Sequence, residues 1–120
     1  VTPHDLPAIS TADGIGTALV RLADPQRAAQ EKRYLKSGFT HLGVTVPQVR
    51  KTAKAAYVQL GPEHAALVAL VAELWASDIY ERRLAAVELL KAGLATLSPD
   101  DLPTIERLIR EGAMWSLVDP

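Results

Sequence analysis

Helix-opening signals recur along this chain at a nearly constant interval, and that interval limits the architectures open to it. Asp24-Pro25 puts an N-cap residue ahead of a proline at the first helical position. Gly61-Pro62 breaks the chain before Glu63, and Ser98-Pro99-Asp100-Asp101 repeats the opening pattern. Each signal starts a pair of helices, so hairpins begin near residues 25, 63 and 99, separated by 38 and 36 residues. No segment alternates apolar and polar residues as a strand does, so the fold class is all-α.

A period near roughly 40 residues is that of HEAT-type helical repeats. Ahead of the first hairpin, Ile15, Ala18, Leu19 and Leu22 recur at helical spacing between Ser10 and Ala23, with Ser10, Thr11 or Asp13 available as N-cap. Gly14-Ile15-Gly16 there has no preceding strand and no third glycine at the required place, which excludes a phosphate-binding loop. The helix after Asp24 is expected to run to about Ser37 and to stop at Gly38. Thr45-Val46-Pro47-Gln48 is a capping box that opens a helix to about Leu60. Glu63 to Ala76 is apolar almost all round and predicts cover on several sides. Asp78-Ile79-Tyr80-Glu81 reads as a second capping box, whose helix ends at Gly93. Leu102, Ile105, Leu108 and Ile109 make the buried stripe of the last complete helix, closed by Gly112.

The terminal segment Gly112 to Pro120 then sets Trp115 and Asp119 four residues apart, on one face of a helical turn. The third hairpin has its first helix and only the start of its second. Stacked repeats rely on their neighbours to bury apolar faces, and terminal repeats need a polar outer surface. We therefore expect a C-terminally truncated solenoid: residues 1–9 as an extended lead-in, and 10–120 as a HEAT-like helical repeat domain that continues in a longer protein. Self-association through the uncovered last repeat is a further expectation.

At 120 residues the chain is one domain, 48% hydrophobic and 22% charged, which excludes a disordered or collagen-like chain. It has no cysteine, so disulfides, thiol catalysis and cysteine-ligated metals are excluded, and a cytoplasmic location is the expectation. The longest apolar run, Ala65 to Ala72, is far short of the roughly 20 residues that span a bilayer, so no membrane partner is expected. Net charge is −1 but unevenly distributed. Arg21, Arg27, Lys32, Arg33, Lys36, Arg50, Lys51 and Lys54 stand against Asp24 and Glu31 alone within residues 21–54, whereas residues 55–120 are net acidic. A basic third fits an anionic partner on one face. His4, His41 and His64 are scattered, with no pair four apart and no carboxylate at ligand spacing, so neither a metal nor a cofactor is expected.

The residues resemble the AlkD-like alkylpurine DNA glycosylases, DNA alkylation repair enzymes built from HEAT-like repeats. The resemblance runs from about Ala28 to Asp119. It rests on Tyr34-Leu35-Lys36, Phe39, Leu42-Gly43-Val44 and Pro47-Gln48-Val49-Arg50; on Glu73-Leu74-Trp75 and Tyr80-Glu81-Arg82-Arg83-Leu84-Ala85-Ala86; and on Asp101-Leu102, Glu106-Arg107-Leu108-Ile109 and Trp115-Ser116-Leu117-Val118-Asp119. It implies a right-handed αα-superhelix that acts on double-stranded DNA containing alkylated purines such as 3-methyladenine and 7-methylguanine. Asp119 is then the catalytic carboxylate and Trp115 packs against the lesion-bearing nucleotide. Tyr34 and the Thr45 turn match DNA-facing positions, and the basic helices carrying Arg50, Lys51 and Lys54 hold phosphate. Val46 stands where that family usually has threonine, and Met114 where it has a second tryptophan. If repeats that complete the cleft follow Pro120, the 120-residue chain alone excises little or nothing.

Bland readings stand beside these. Trp75 reads as packing between hairpins, and Tyr80, Glu81, Arg82 and Arg83 as a capping box with a solvated face. The second functional expectation is a non-catalytic helical-repeat module that binds DNA or a protein partner.

Overall fold

The computed structural model describes residues 8–61 and 63–93 together with Pro103. Among these there are five helices and no strand: α1 (Ala12–Arg21), α2 (Pro25–Leu35), α3 (Val46–Leu60), α4 (His64–Trp75) and α5 (Tyr80–Ala92). The fold is all-α and of the repeat type. No helix among the described residues is long and apolar enough to cross a membrane. The lead-in before Ala8 and the helices expected after Ser98 lie outside the described residues, except Pro103, which is helical and exposed.

Local chemistry accounts for most helix boundaries. Thr11 is the N-cap of α1, its hydroxyl accepting from the Gly14 amide at 3.0 Å. Asp24 caps α2, its Oδ1 accepting from the amides of Gln26 and Arg27 at 3.1 and 3.2 Å, with Pro25 at the first position. Both bonds of the Thr45–Gln48 capping box form at the start of α3. Two expectations fail. Helix α2 stops at Leu35 rather than near Ser37, because Lys36 itself takes the left-handed conformation at φ 50° and does the work expected of Gly38. No capping box opens α5, whose N-cap is Ile79 with no side-chain bond.

The reason for the second failure lies in Glu81, which is completely buried. Its Oε1 accepts from the Leu42 amide at 2.9 Å, and its Oε2 accepts from Gly43 at 2.9 Å and Val44 at 3.2 Å. Three loop amides would otherwise be buried without partners, at roughly 1–3 kcal/mol each. A capping bond to one helix-terminal amide is worth less, so the carboxylate turns inward. In the first turn of α5 it still complements the helix dipole. The same loop is stitched on both sides. Thr40 donates to the Asp78 carbonyl at 2.9 Å and accepts from Tyr80 at 2.8 Å, and the Leu42 carbonyl accepts from Asp24 at 2.8 Å. Gly43 has φ +85°, and a Cβ there would run into the Asp24 carbonyl oxygen and the Ala28 nitrogen. Only glycine fits so close a backbone crossing.

Packing concentrates on α3, α4 and α5. Helices α3 and α5 lie side by side, α4 packs on α5, and α1 covers α3, α5 and α4. Small residues on the facing surfaces, Ala53 and Ala56 of α3 with Ala85 and Ala86 of α5, are all buried and let the two helices approach closely. Ile15 and Leu19 from α1, Leu67, Val71 and Leu74 from α4, and Leu84 and Leu89 from α5 fill the core. Helix α4 is covered on several sides as expected, by α5, α1 and α3, and leaves Ala65, Ala69 and Glu73 as an exposed stripe four residues apart. Trp75 is buried as expected, 5.2 Å from the Arg83 guanidinium, which also lies 4.6 Å over Phe39. The hairpin expected of α2 and α3 is loose. Helix α2 buries only Ala28, and one alanine contributes far less than the roughly 1.5–3 kcal/mol of a buried leucine.

Replacing Glu81 with Gln exchanges an acceptor-only group for one that presents N–H to an amide, and is expected to cost about 2–4 kcal/mol in urea unfolding. Gly43→Ala is expected to cost about 2 kcal/mol or more, whereas Lys36→Gly relieves a left-handed side-chain clash and stabilises by up to about 1 kcal/mol. Equal stabilities for the two backbone variants would contradict the assignment of strain to these positions.

Candidate nucleic-acid interface

All eight basic side chains of residues 21–54 are exposed. The two acids among them are committed elsewhere. Asp24 caps α2, and Oε1 of Glu31 lies 2.8 Å from Nδ1 of the His41 ring. The basic excess counted from sequence therefore reaches the surface, although Arg50 shares the buried Glu88 carboxylate of α5. Such a surface attracts phosphate in proportion to its unpaired cations.

Tyr34 is 87% exposed on α2, at the rim of a shallow depression of about 270 Å³ lined by Arg27, Gln30 and Glu31. An aromatic left this bare gains nothing from the core. It is available for a sugar or phosphate contact. Thr45 is half-buried, and its hydroxyl accepts from the Gln48 amide and lies 3.0 Å from the Gln48 side-chain oxygen. That hydroxyl is already engaged within the capping box, so the cap competes with any ligand for it.

Arg50, Lys51 and Lys54 project from α3, with Arg50 and Lys54 one turn apart. Arg50 Nε donates to Oε1 of Glu88 on α5 at 2.9 Å, and Lys91 Nζ lies 3.4 Å from the other Glu88 oxygen. The Glu88 side chain is only 4% exposed, while those of Arg50 and Lys91 are 45% and 46% exposed. Arg50, Lys54, Glu88, Lys91 and Ala92 line an open groove of about 320 Å³ between α3 and α5. The structure thus joins Arg50 and Lys54 in one site and leaves Tyr34 on a separate element. Trp115 and Asp119 lie outside the described residues.

Sequence reasoning missed Glu81 and Glu88 as buried groups. A signal was present. Both fall at helical spacing with Leu84 and Leu89 on the apolar stripe of α5, and a carboxylate on a core stripe is buried only when partnered. It also missed the surroundings of His41. The imidazole stacks on Tyr80 at 4.5 Å and 17°, and one ligand-type atom each from Glu31, His41 and Glu81 lie within 4.8 Å of one another. His41 thus has carboxylate neighbours that sequence spacing did not show. The Glu81 oxygens are already taken by three amides and Glu31 by the ring, so the cluster reads as a structural tie. Tyr80 and Glu81 are correspondingly buried and not part of a solvated face.

Thr45→Ala removes the α3 cap and is expected to lower stability by about 1 kcal/mol. An unchanged unfolding midpoint would show that the hydroxyl is free for another role.

With this geometry in place, comparison with known proteins adds one positive finding. A family model described as DNA alkylation repair enzyme matches residues 15–120, a span that starts within α1, holds α2 through α5 and also includes Trp115 and Asp119. No curated protein and no solved structure matches the chain.

Proposed function

The chain belongs to the DNA alkylation repair enzyme family, and from that membership we propose that it is a DNA glycosylase acting on alkylated purines. The observation that carries the reading is the family match, because it extends through Trp115 and Asp119. The exposed cations of residues 21–54 support DNA as the partner.

The chemistry needs little more than a fixed charge. A purine alkylated on a ring nitrogen is already cationic, so the base is a good leaving group and its departure leaves an oxocarbenium-like sugar. The ionised Asp119 carboxylate stabilises that cation and orients a water for attack at the anomeric carbon. The water's proton is lost, the sugar gains a hydroxyl, and the base leaves neutral. Trp115 offers an indole face that attracts cationic groups and excludes water. Tyr34, the Thr45 turn, Arg50, Lys51 and Lys54 hold phosphates and set the duplex in register. This placement positions the lesion without itself reading base sequence.

The test is release of methylated purine from an alkylated duplex in single-turnover assays, with Asp119→Asn as the comparison. Loss of one electrostatic partner of the developing charge is expected to slow excision by about 10²-fold or more. Equal rates would remove Asp119 from the mechanism. Salt-sensitive duplex binding with no Asp119-dependent excision would favour the non-catalytic repeat module, and salt-independent association would favour a protein partner.

A further inference from the structure

We propose that the groove between α3 and α5 is a phosphodiester subsite in which Lys91 acts as a third cation beside Arg50 and Lys54. The inference rests on the DNA-binding reading and adds to it a residue outside the basic third of the sequence.

Three observations carry it. The first is placement: Arg50, Lys54 and Lys91 line one open groove of about 320 Å³, wide enough for a phosphate group, and they come from helices of two successive repeats. The second is Glu88. A carboxylate with 4% exposure must be paired, and here it is paired to both Arg50 and Lys91, so it ties the two cations to the groove floor. The third is the charge that remains. Three cations face one carboxylate, Lys54 has no partner among the described residues, and Arg50 commits Nε of its five N–H donors to Glu88. Arg50 and Lys91 stay nearly half exposed while held. Pre-positioned, partly desolvated and still reachable cations bind an anion at less entropic cost than free surface lysines.

The bland alternative is that Lys91 merely complements the negative end of α5, whose last turn it occupies. The two readings differ in a measurable way. Duplex affinity is followed across a salt series for the wild-type chain, Lys91→Met, Lys91→Arg and Lys54→Met, each checked for helix content. If Lys91 meets a phosphate, Lys91→Met weakens binding several-fold at low salt and lowers the log–log salt slope by about 0.9, as Lys54→Met does, while Lys91→Arg keeps the wild-type slope. A wild-type slope in Lys91→Met overturns the inference and leaves the helix-end role. A slope lowered equally by Met and Arg also overturns it, since charge is then not what matters. A wild-type chain that binds no duplex at any salt overturns the DNA reading itself, a result distinct from the other two.

Discussion

One buried carboxylate fixes how the first repeat meets the second. Glu81 lies at the start of α5, yet its oxygens serve the backbone of the loop that leads into α3. Without it, Leu42, Gly43 and Val44 would turn amides toward a dry interior with nothing to accept them. With it, the loop is held against α5 at one end and against the start of α2 at the other, through Asp24 and the close crossing at Gly43. The direction in which α3 leaves the loop follows from that attachment. So does the position of Arg50 opposite Glu88.

The two charged side chains fully sequestered among the described residues are both carboxylates. Among the described residues, Glu81 and Glu88 are buried, and Asp24 and Glu31 are spent on a helix cap and an imidazole. The bases between Arg21 and Lys54 are all outside. A net charge of −1 therefore says little about what the surface offers a ligand. The interior uses two carboxylates as acceptors for groups the fold must bury, while Asp13, Glu63, Glu73 and Asp78 stay exposed and the positive excess belongs to residues 21–54.

Much of the architecture was legible because it rests on short-range chemistry. Asp24-Pro25 and Thr45 with Gln48 each act within one turn, and the helices begin where those residues stand. The failures involve competition over distance. Glu81 had a local use as a capping partner and a remote one about 40 residues away, and only the fold shows that the remote partners are three amides. Lys36 ended α2 in a conformation that lysine disfavours and that Gly38, two residues on, would have taken more cheaply. In the candidate site, the exposure of Arg50, Lys51 and Lys54 was readable from charge and period, but the pairing of Arg50 with Glu88 needed a contact across repeats. The roles of Trp115 and Asp119 rest on family likeness, since residue types at helical spacing do not by themselves distinguish a catalytic pair from a core aromatic and a surface acid.

The shallow seating of α2 has a mechanical meaning. This helix carries Arg27, Lys32, Arg33 and the exposed Tyr34, yet is anchored mainly through Ala28, the half-buried Leu35, the Glu31–His41 contact, its cap and the loops at its two ends. An element with little apolar area to lose opens more readily than α5, which carries much of the core. The cations on α3 are set on a stiff platform, while those on α2 ride on a compliant one. A duplex laid across both meets a surface that is rigid on one side and can conform on the other, as a vice with one padded jaw grips an irregular bar.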